Sequence, residues 1–342
     1  MSTSTPATNT RTFILLITCI SFVLNATIAQ SILSSRHFAL EKLSEGVYAA
    51  VASVDGYAIC NAGIIDLGDA TILVDPFMTP EAAEDLKLAA KTLTGREVRY
   101  VVNTHFHNDH TAGNQVFKEA VIISTEQARQ SMQAGLPAEL AYNKEHAANM
   151  VAKLRENKPG TMNTEEWEEH NLMKAYYEAL ASSVPTLQLT YPGLCFTDSL
   201  WLHGSSRSVL LKSCGTAHSP GDLMVELPNE RILFTGDVLF VGFHPWLGDG
   251  DMERWDQWLE QIQKKEYSVL VPGHGRMGTR EDVQLLRKYI KEVQTIAERY
   301  RGEGRPPHGD ATLKIPEDYA RWRLSGFFKP NVYSAWERAG KK

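Results

Sequence analysis

The segment at residues 104–110 reads Thr-His-Phe-His-Asn-Asp-His, and its residue types and spacing are well suited to metal chemistry. Imidazole nitrogens and carboxylate oxygens both bind divalent metal ions. Alternate residues of an extended chain face the same way, so His105 and His107 can hold one ion together. Asp109 and His110 follow directly and can turn towards a second ion. We interpret this heptad as part of a metal site; the alternative is a solvated loop that happens to be rich in histidine.

The residues before the heptad form the element that must position it. Residues 97–103 read Glu-Val-Arg-Tyr-Val-Val-Asn, a β-branched and aromatic run without glycine or proline. Such a composition predicts a buried strand. The candidate ligands therefore follow the end of a strand, where functional residues are common.

Three later segments also place a ligand-type residue in a turn beside a predicted strand. They are residues 215–222 with His218, residues 234–237 with Asp237, and residues 271–275 with His274. Neighbouring glycines let the backbone turn sharply and approach a metal ion closely. Each segment alone is a weak signal, because a single histidine in a turn is more often a surface or hydrogen-bonded residue. The heptad followed by all three, in this order, is far more specific.

Composition limits the function classes. The 342 residues are 43% hydrophobic and 22% charged, an ordinary globular balance with ample material for a large core. The net charge of −6 gives no electrostatic footprint for nucleic acid, and no block of basic residues indicates a membrane surface. We expect a small-molecule substrate and no nucleic-acid partner, and the oligomeric state stays open.

The N-terminus is predicted to be separate from the fold. Residues 1–10 are polar, and residues 12–24 form an apolar run that is short for a membrane span. Small residues at 27–29 then offer a cleavage position. We predict a signal peptide at residues 1–29, export to the periplasm or the medium, and no stable membrane insertion after cleavage. An uncleaved N-terminal anchor is the alternative.

The cysteines do not indicate a disulfide framework. Of four cysteines, Cys19 lies in the apolar run and would leave with the signal peptide. Three remain, which is an odd number. One bridge among Cys60, Cys195 and Cys214 stays open, and the default for each is a small buried apolar residue.

The remaining chain reads as strands followed by helices, twice over. Strands are predicted at residues 46–51, 57–65, 71–74, 187–189, 200–202, 208–212, 223–227, 231–234 and 268–271. Asp55-Gly56 is a hairpin signal. A helix is predicted from Pro80, with Thr79 as its N-cap, to about Leu93, with a stop at Gly95. Further helices are predicted at residues 252–264 and 280–301.

Two regions lie outside this pattern. Residues 125–183 have helical composition and are broken at Pro159-Gly160, which predicts an insertion of two to four helices. Residues 302–342 contain six large aromatic side chains, too many to leave in water. We expect this tail to pack on a domain spanning residues 38–301; a contact with a second copy of the chain is the alternative.

The heptad, His218, Asp237 and His274, in this order, resemble the pattern of the metallo-β-lactamase superfamily. The resemblance runs from about residue 43 to about residue 296 and is interrupted by the insertion. It is specific for fold and metal site and poorly specific for substrate. It implies an α/β fold, a four-layer αββα sandwich in one domain, with the helical insertion as a wall or lid near the site.

The resemblance also implies a ligand set for two divalent ions. The first ion would be held by three histidines, namely His105, His107 and His218. The second would be held by one carboxylate and two histidines, namely Asp109, His110 and His274. Asp237 would bridge the two ions. These donors suit zinc best, although iron and manganese also accept them.

The implied reaction is a hydrolysis. A hydroxide held between the ions would be the nucleophile, because metal binding lowers the pKa of water to about 7. Asp109 would be the catalytic carboxylate that orients the nucleophile and shuttles a proton to the leaving group.

Two departures from familiar members narrow the substrate class. The most studied zinc β-lactamases carry a cysteine where Asp237 stands, and many lack a ligand at His110. The Asp-bridged set is that of hydroxyacylglutathione hydrolases and of other esterases, lactonases and phosphodiesterases of the superfamily. The second departure is the long separation of His110 from His218, which the helical insertion explains.

These observations predict an exported, dinuclear zinc-dependent hydrolase that cleaves an ester, thioester, lactone or amide bond of a small molecule. A β-lactamase is the leading alternative, because an exported enzyme can meet β-lactam antibiotics. A di-iron redox protein and a nucleic-acid-processing nuclease are further alternatives. The absence of a following flavodoxin-like domain disfavours the first, and the acidic balance disfavours the second.

Weaker candidates surround the predicted metal site. The turn at residues 55–57 would lie where relatives carry a flap over the metals. His244 and Trp246 are candidates for the pocket lining. Asp75, at the end of a predicted strand, resembles the acid that supports metal ligands in this family.

Overall fold

The computed structural model describes residues 35–156 and 162–340, and it contains two β-sheets. The first sheet has seven strands in the order β1 to β7, which are β1 (Phe38–Ser44), β2 (Val47–Ala52), β3 (Ala62–Asp66), β4 (Thr71–Val74), β5 (Val98–Val102), β6 (Val121–Thr125) and β7 (Leu194–Phe196). The second has the order β12-β11-β10-β9-β8, with β8 (Ser199–His203), β9 (Ser208–Thr216), β10 (Pro220–Leu227), β11 (Ile232–Phe240) and β12 (Val269–His274). Strands β4 to β7 are mutually parallel, as are β11 and β12.

Seven α-helices lie in the described ranges. They are α1 (Pro80–Thr94), α2 (Asn108–Thr111), α3 (Glu126–Glu156), α4 (Thr164–Ser183), α5 (Met252–Lys264), α6 (Arg280–Gly302) and α7 (Phe328–Ala339). None of them has the length and apolar composition needed to cross a membrane. The predicted signal peptide and the Pro159-Gly160 break lie outside the described residues.

Alternation along the strands of the first sheet creates two of the core layers. Ile64 and Leu73 pack in the cluster that contains α1, whereas their neighbours Ile65 and Ile72 pack in the cluster between the two sheets. Successive strand residues face opposite sides of a sheet, so one strand serves both layers. Leu86 supplies the α1 side of the first cluster.

A third cluster covers the outer face of the second sheet. Trp255 of α5 and Leu286 of α6 are buried there against β11. Tyr319 and Phe328, from the aromatic tail, are buried in the same cluster. The order of layers is therefore helix, sheet, sheet, helices, and the predicted αββα fold class is confirmed.

Helix α1 follows its capping signals. The Thr79 hydroxyl accepts a hydrogen bond from the Ala82 N–H at 3.2 Å, and Pro80 occupies the first turn. Gly95 ends the helix with a φ of 70°, a conformation that glycine adopts without steric penalty. The predicted caps at both ends are confirmed.

Two strand predictions are wrong. The chain from β2 to β3 is a loop rather than a tight hairpin, and β3 begins only at Ala62. Ile59 has a φ of 71°, which breaks an extended run, and the Tyr57 N–H donates to His37 Nδ1 instead of to a strand. Residues 187–189 are irregular, because the Gln188 N–H donates to the side chain of Gln115; strand β7 lies further along the chain.

The insertion consists of α3 and α4 in the described ranges. The Asn163 side chain accepts from the Glu166 N–H, and the Glu166 carboxylate accepts from the Asn163 N–H, so a capping box begins α4. Ala147 and Ala179 bury one face of this helix pair against Met78. Cys60, Cys195 and Cys214 are free thiols.

Candidate metal centre

The seven candidate ligands meet at one end of the two sheets. His105 and His107 follow β5, and Asp109 and His110 lie in α2. His218 lies in the turn between β9 and β10. The other two come from the second sheet, Asp237 within β11 and His274 at the end of β12. Each ligand lies in or beside its own strand or helix, and the packing of the two sheets brings the seven side chains together.

The first group of donors surrounds His107. Its Nδ1 atom lies 3.1 Å from His105 Nε2 and 3.1 Å from His218 Nε2. Asp237 Oδ2 lies 3.6 Å from His105 Nε2 and 3.4 Å from His218 Nε2. Four donor atoms therefore converge on one point.

The second group of donors surrounds His110. Its Nε2 atom lies 3.4 Å from His274 Nε2 and 3.5 Å from Asp109 Oδ2. Asp237 Oδ1 lies 3.2 Å from His110 Nε2 and 3.5 Å from His274 Nε2. Asp237 thus directs one carboxylate oxygen at each group.

Asp75 fixes the orientation of His110 in the second group. Its Oδ2 atom lies 2.8 Å from His110 Nδ1 and accepts from the Thr104 hydroxyl at 2.7 Å. Its Oδ1 atom accepts from the Thr104 N–H at 2.8 Å. With a proton on His110 Nδ1, the lone pair of Nε2 faces the donor group, as in carboxylate–histidine–metal arrangements. The supporting role expected for Asp75 matches this geometry.

Asp249 gives His107 similar support, although this role could not be predicted from the sequence. Asp249 Oδ2 lies 3.1 Å from His107 Nε2 and accepts from Trp246 Nε1 at 3.0 Å. His107 therefore presents Nδ1 to the donor group, whereas His105 and His218 present Nε2. The only available signal was an acid in a glycine-rich loop, which does not identify its partner.

Comparison with known proteins places this arrangement in a family. The model of the metallo-beta-lactamase superfamily matches residues 55–180 and 200–274, more than half of the chain. The chain belongs to the metallo-β-lactamase superfamily. Among individual relatives, the metallo-beta-lactamase type 2 of Bacteroides fragilis is 31% identical over 114 residues, which is 31% of this chain and 46% of that protein. The match thus spans less than half of that relative.

Solved structures of the superfamily share the fold. A metallo-beta-lactamase from Pontibacter korlensis has a TM-score of 0.53 at 15% identity, covering 74% of this chain and 99% of its own. A metallo-beta-lactamase from Erythrobacter litoralis, with beta-mercaptoethanol in the active site, has a TM-score of 0.52 at 17% identity, covering 76% and 98%. At these identities the likeness concerns the fold alone.

The donor geometry fits the metal ions that the superfamily fold implies. Four ligands placed tetrahedrally at about 2.0–2.1 Å from zinc lie about 3.3 Å from one another. The nitrogen and oxygen spacings of 3.1 to 3.6 Å in both groups bracket that value. Asp237 Oδ1 is also buried without a hydrogen-bond partner among the described residues. An uncompensated buried carboxylate oxygen of this kind is expected to serve a cation.

Protonation differs among the donor histidines. In the first group, burial opposes protonation of His107, but its hydrogen bond to Asp249 raises its pKa. Burial lowers the pKa of His218 to about 3 and that of His105 well below its usual value. Burial also opposes protonation of His274, but Asp237 and Asp109 beside it raise its pKa to about 9. Metal ions at the second group would therefore compete with protons.

Gly273 makes room for the bridging carboxylate. A Cβ atom at this position would lie 1.9 Å from Asp237 Oδ1. We expect Gly273→Ala to displace Asp237 and to lower metal content below one ion per chain, measured by elemental analysis after gel filtration. Gly302→Ala is the matched control, because a Cβ atom there meets nothing within 4 Å. Full metal content in Gly273→Ala would contradict this packing argument.

A cavity of about 330 Å³ opens onto the donor groups. Helix α4 lines it with Leu172, Met173 and Tyr176, so the insertion forms one wall. Leu324 and Phe327 of the tail form another. The Leu324 N–H donates to Glu169 Oε2 of α4 at 2.8 Å, which joins the two walls.

Of the weaker candidates for the cavity lining, one lines this cavity and another does not. Trp246 lines it, as expected. The expectation for His244 is wrong: its ring is buried against Trp322, and its Nδ1 lies 3.0 Å from the Tyr289 hydroxyl. From the loop at residues 53–61, Ile59 lines the cavity.

Proposed function

We propose that the protein is a dinuclear metal-dependent hydrolase, with zinc as its metal, that cleaves an ester, thioester, lactone or amide bond of a small molecule. Membership of a superfamily rich in hydrolases supports this proposal. The observation that carries it is the position of Asp237, whose two oxygens face two separate groups of histidine and carboxylate donors. A single carboxylate shared in this way suits two ions that act on one substrate.

The ions, when bound, supply acidity to water and polarise the substrate carbonyl. The chain supplies the group that orients water and the surface that binds the substrate. Burial opposes ionisation of Asp109, but His110 and His274 beside it hold its pKa at about 2. Asp109 lines the cavity as a carboxylate and is therefore placed to accept a hydrogen bond from water and to orient it, although a pKa this low makes it a weak base. The apolar walls exclude bulk water and strengthen these electrostatic interactions.

The lining favours substrates without a negative charge. Among the residues that the structure describes, none of those lining the cavity is lysine or arginine. The acyl portion of a substrate would instead meet apolar and aromatic side chains such as Leu172 and Phe327. Burial of that portion would position the scissile bond over the donor groups.

A β-lactamase is the second candidate, and the similarity to the Bacteroides fragilis protein favours it. Penicillins, cephalosporins and carbapenems carry a carboxylate, however, and the described cavity lining offers it no cationic side chain. The test is hydrolysis of one antibiotic of each class by purified, zinc-loaded protein. If the protein hydrolyses none of the three antibiotics, this candidate is excluded.

Metal removal tests the main proposal. Dialysis against a chelator is expected to abolish hydrolysis of p-nitrophenyl esters and thiophenyl esters, and two equivalents of zinc per chain are expected to restore it. A titration followed by elemental analysis checks the stoichiometry. Iron with a visible absorption band, or ester hydrolysis that survives complete metal removal, would contradict the proposal.

We also propose that the protein acts outside the cytoplasm. The support is the polar, apolar and small-residue order of residues 1–29, which lie outside the described structure. Expression of the full chain followed by mass measurement of the mature protein tests this. We expect a new N-terminus close to residue 30; an intact Met1 in the cytoplasmic fraction would contradict it.

A further inference from the structure

The cavity over the donor groups contains a carboxylate in addition to those of the donor groups. Seventeen residues line it, and five of them belong to the donor groups, namely His107, Asp109, His218, Asp237 and His274. Glu139 is the remaining charged residue among them. The cavity therefore has one carboxylate that is not needed as a ligand.

Glu139 is held in place by a contact that leaves it able to bind a ligand. It lies on α3 and is partly buried. Its Oε1 atom accepts from Asn108 Nδ2 at 2.6 Å. No hydrogen bond to its Oε2 atom is found within the described ranges. The carboxylate is thus oriented by α2 and retains an oxygen for a group in the cavity.

Aromatic rings make up much of the remaining lining. They are Tyr176, Tyr177, Phe240, Phe243, Trp246 and Phe327. The face of an aromatic ring attracts a cation, and several rings around one cavity are a common way to bind an alkylammonium group. The same rings would also accept a neutral apolar group, so the rings alone do not decide between the two.

The charges around this cavity favour a cation; two arginines, Arg276 and Arg323, line the adjoining cavity and not this one. Two divalent ions would bring four positive charges, and four carboxylates already lie at the donor groups or against their histidines, namely Asp75, Asp109, Asp237 and Asp249. Glu139 is additional to these four. A carboxylate on the substrate would be repelled by Glu139, whereas an ammonium group would be attracted to it in a partly desolvated site.

We propose that the substrate carries an alkylammonium group, which Glu139 and the aromatic rings of the cavity bind while the scissile carbonyl lies at the donor groups. The proposal rests on the proposed hydrolase function and names its substrate class. Glu139 acts as a specificity-determining residue and takes no part in bond cleavage.

Three p-nitrophenyl esters of similar shape, which differ in the charge at the end of the acyl chain, test this substrate class. They are the 4-(trimethylammonio)butanoate, the 5,5-dimethylhexanoate, in which carbon replaces the charged nitrogen, and the mono-adipate. We expect kcat/KM for the ammonium ester to exceed that for its neutral isostere by about tenfold, a ratio within the range of cation binding to a carboxylate and aromatic rings. The adipate is expected to be the poorest. Equal values for the ammonium and neutral esters would overturn the proposal.

A binding measurement tests recognition of the ammonium group without depending on hydrolysis. 4-(Trimethylammonio)butanamide and 5,5-dimethylhexanamide are titrated into the metal-free and the zinc-loaded protein by calorimetry. We expect the charged amide to bind more tightly in both forms. If none of the esters is hydrolysed, the proposed function is wrong, and this binding ratio alone decides the ammonium proposal.

Glu139→Gln isolates the charge, because glutamine keeps an oxygen that can accept from Asn108. In this variant, the ratio of kcat/KM for the ammonium ester to that for the neutral ester is expected to fall towards one. The corresponding ratio of binding affinities for the two amides is expected to fall in the same way. Glu145→Gln, an exposed acid on the same helix, is the matched control and is expected to keep the wild-type ratio. An unchanged ratio in Glu139→Gln would overturn the role of Glu139.

Discussion

Replacing Asp237 by alanine is expected to remove both metal ions and to lower ester hydrolysis by at least about a thousandfold. Loss of a residue that only supports a ligand typically costs 10- to 100-fold. The larger effect follows because Asp237 serves both donor groups, with Oδ2 lying 3.4 Å from His218 Nε2 and Oδ1 lying 3.2 Å from His110 Nε2. Elemental analysis and the p-nitrophenyl ester assay measure the two losses.

A second substitution at Asp237 distinguishes the loss of the bridging oxygen from the loss of negative charge. Asp237→Asn keeps the shape of the side chain but has one oxygen, so we expect it to retain about one ion per chain. Asp198→Asn is the control, because Asp198 is exposed and lies outside the cavity lining. Two tightly bound ions in Asp237→Ala would show that this residue does not bridge.

Most of the candidate centre could be predicted because each ligand has a local signal. His274 follows an apolar strand and lies between two glycines, and Gly275 has a φ of 97° in the structure. A histidine in such a turn is recognisable from a few neighbouring residues. Asp75 has a similar signal at the end of β4.

Residues whose function depends on distant contacts could not be predicted. Asp249 supports His107 across 142 positions of the chain, and Glu139 lies in a helix with no distinctive pattern. His244 shows the opposite error, since it follows β11 as a pocket residue would. Its burial depends on Trp322 and Phe328, which come from the tail.

The same distinction applies to the secondary structure. Helix α1 has a proline, a threonine cap and a terminal glycine of its own, and both ends were predictable. Strand β7 has only three residues and exists because Cys195 pairs with Ser124 of β6. An element of that length is determined by its partner rather than by its own sequence.

Replacing Asp75 by alanine is expected to destabilise the metal-free protein by about 3 to 5 kcal/mol, the range for breaking a buried charged network. The carboxylate is buried and serves His110 Nδ1, the Thr104 hydroxyl and the Thr104 N–H. Its removal leaves three polar groups without an acceptor, and each such group costs about 1 to 3 kcal/mol. Urea unfolding of the metal-free protein measures the change.

Asp75→Ala also introduces backbone strain, so a second variant is needed to test the carboxylate alone. Asp75 has a φ of 53°, a conformation that asparagine tolerates nearly as well as aspartate and alanine tolerates less well. Asp75→Asn therefore tests the carboxylate itself, since one oxygen cannot replace two and its amide N–H₂ faces other donors. We expect it to lose 10- to 100-fold in metal affinity, because His110 is no longer held with its Nδ1 protonated. Asp198→Asn, at an exposed position outside the cavity lining, controls for the loss of charge. Wild-type metal affinity in Asp75→Asn would mean that the fold of α2, and not Asp75, orients His110.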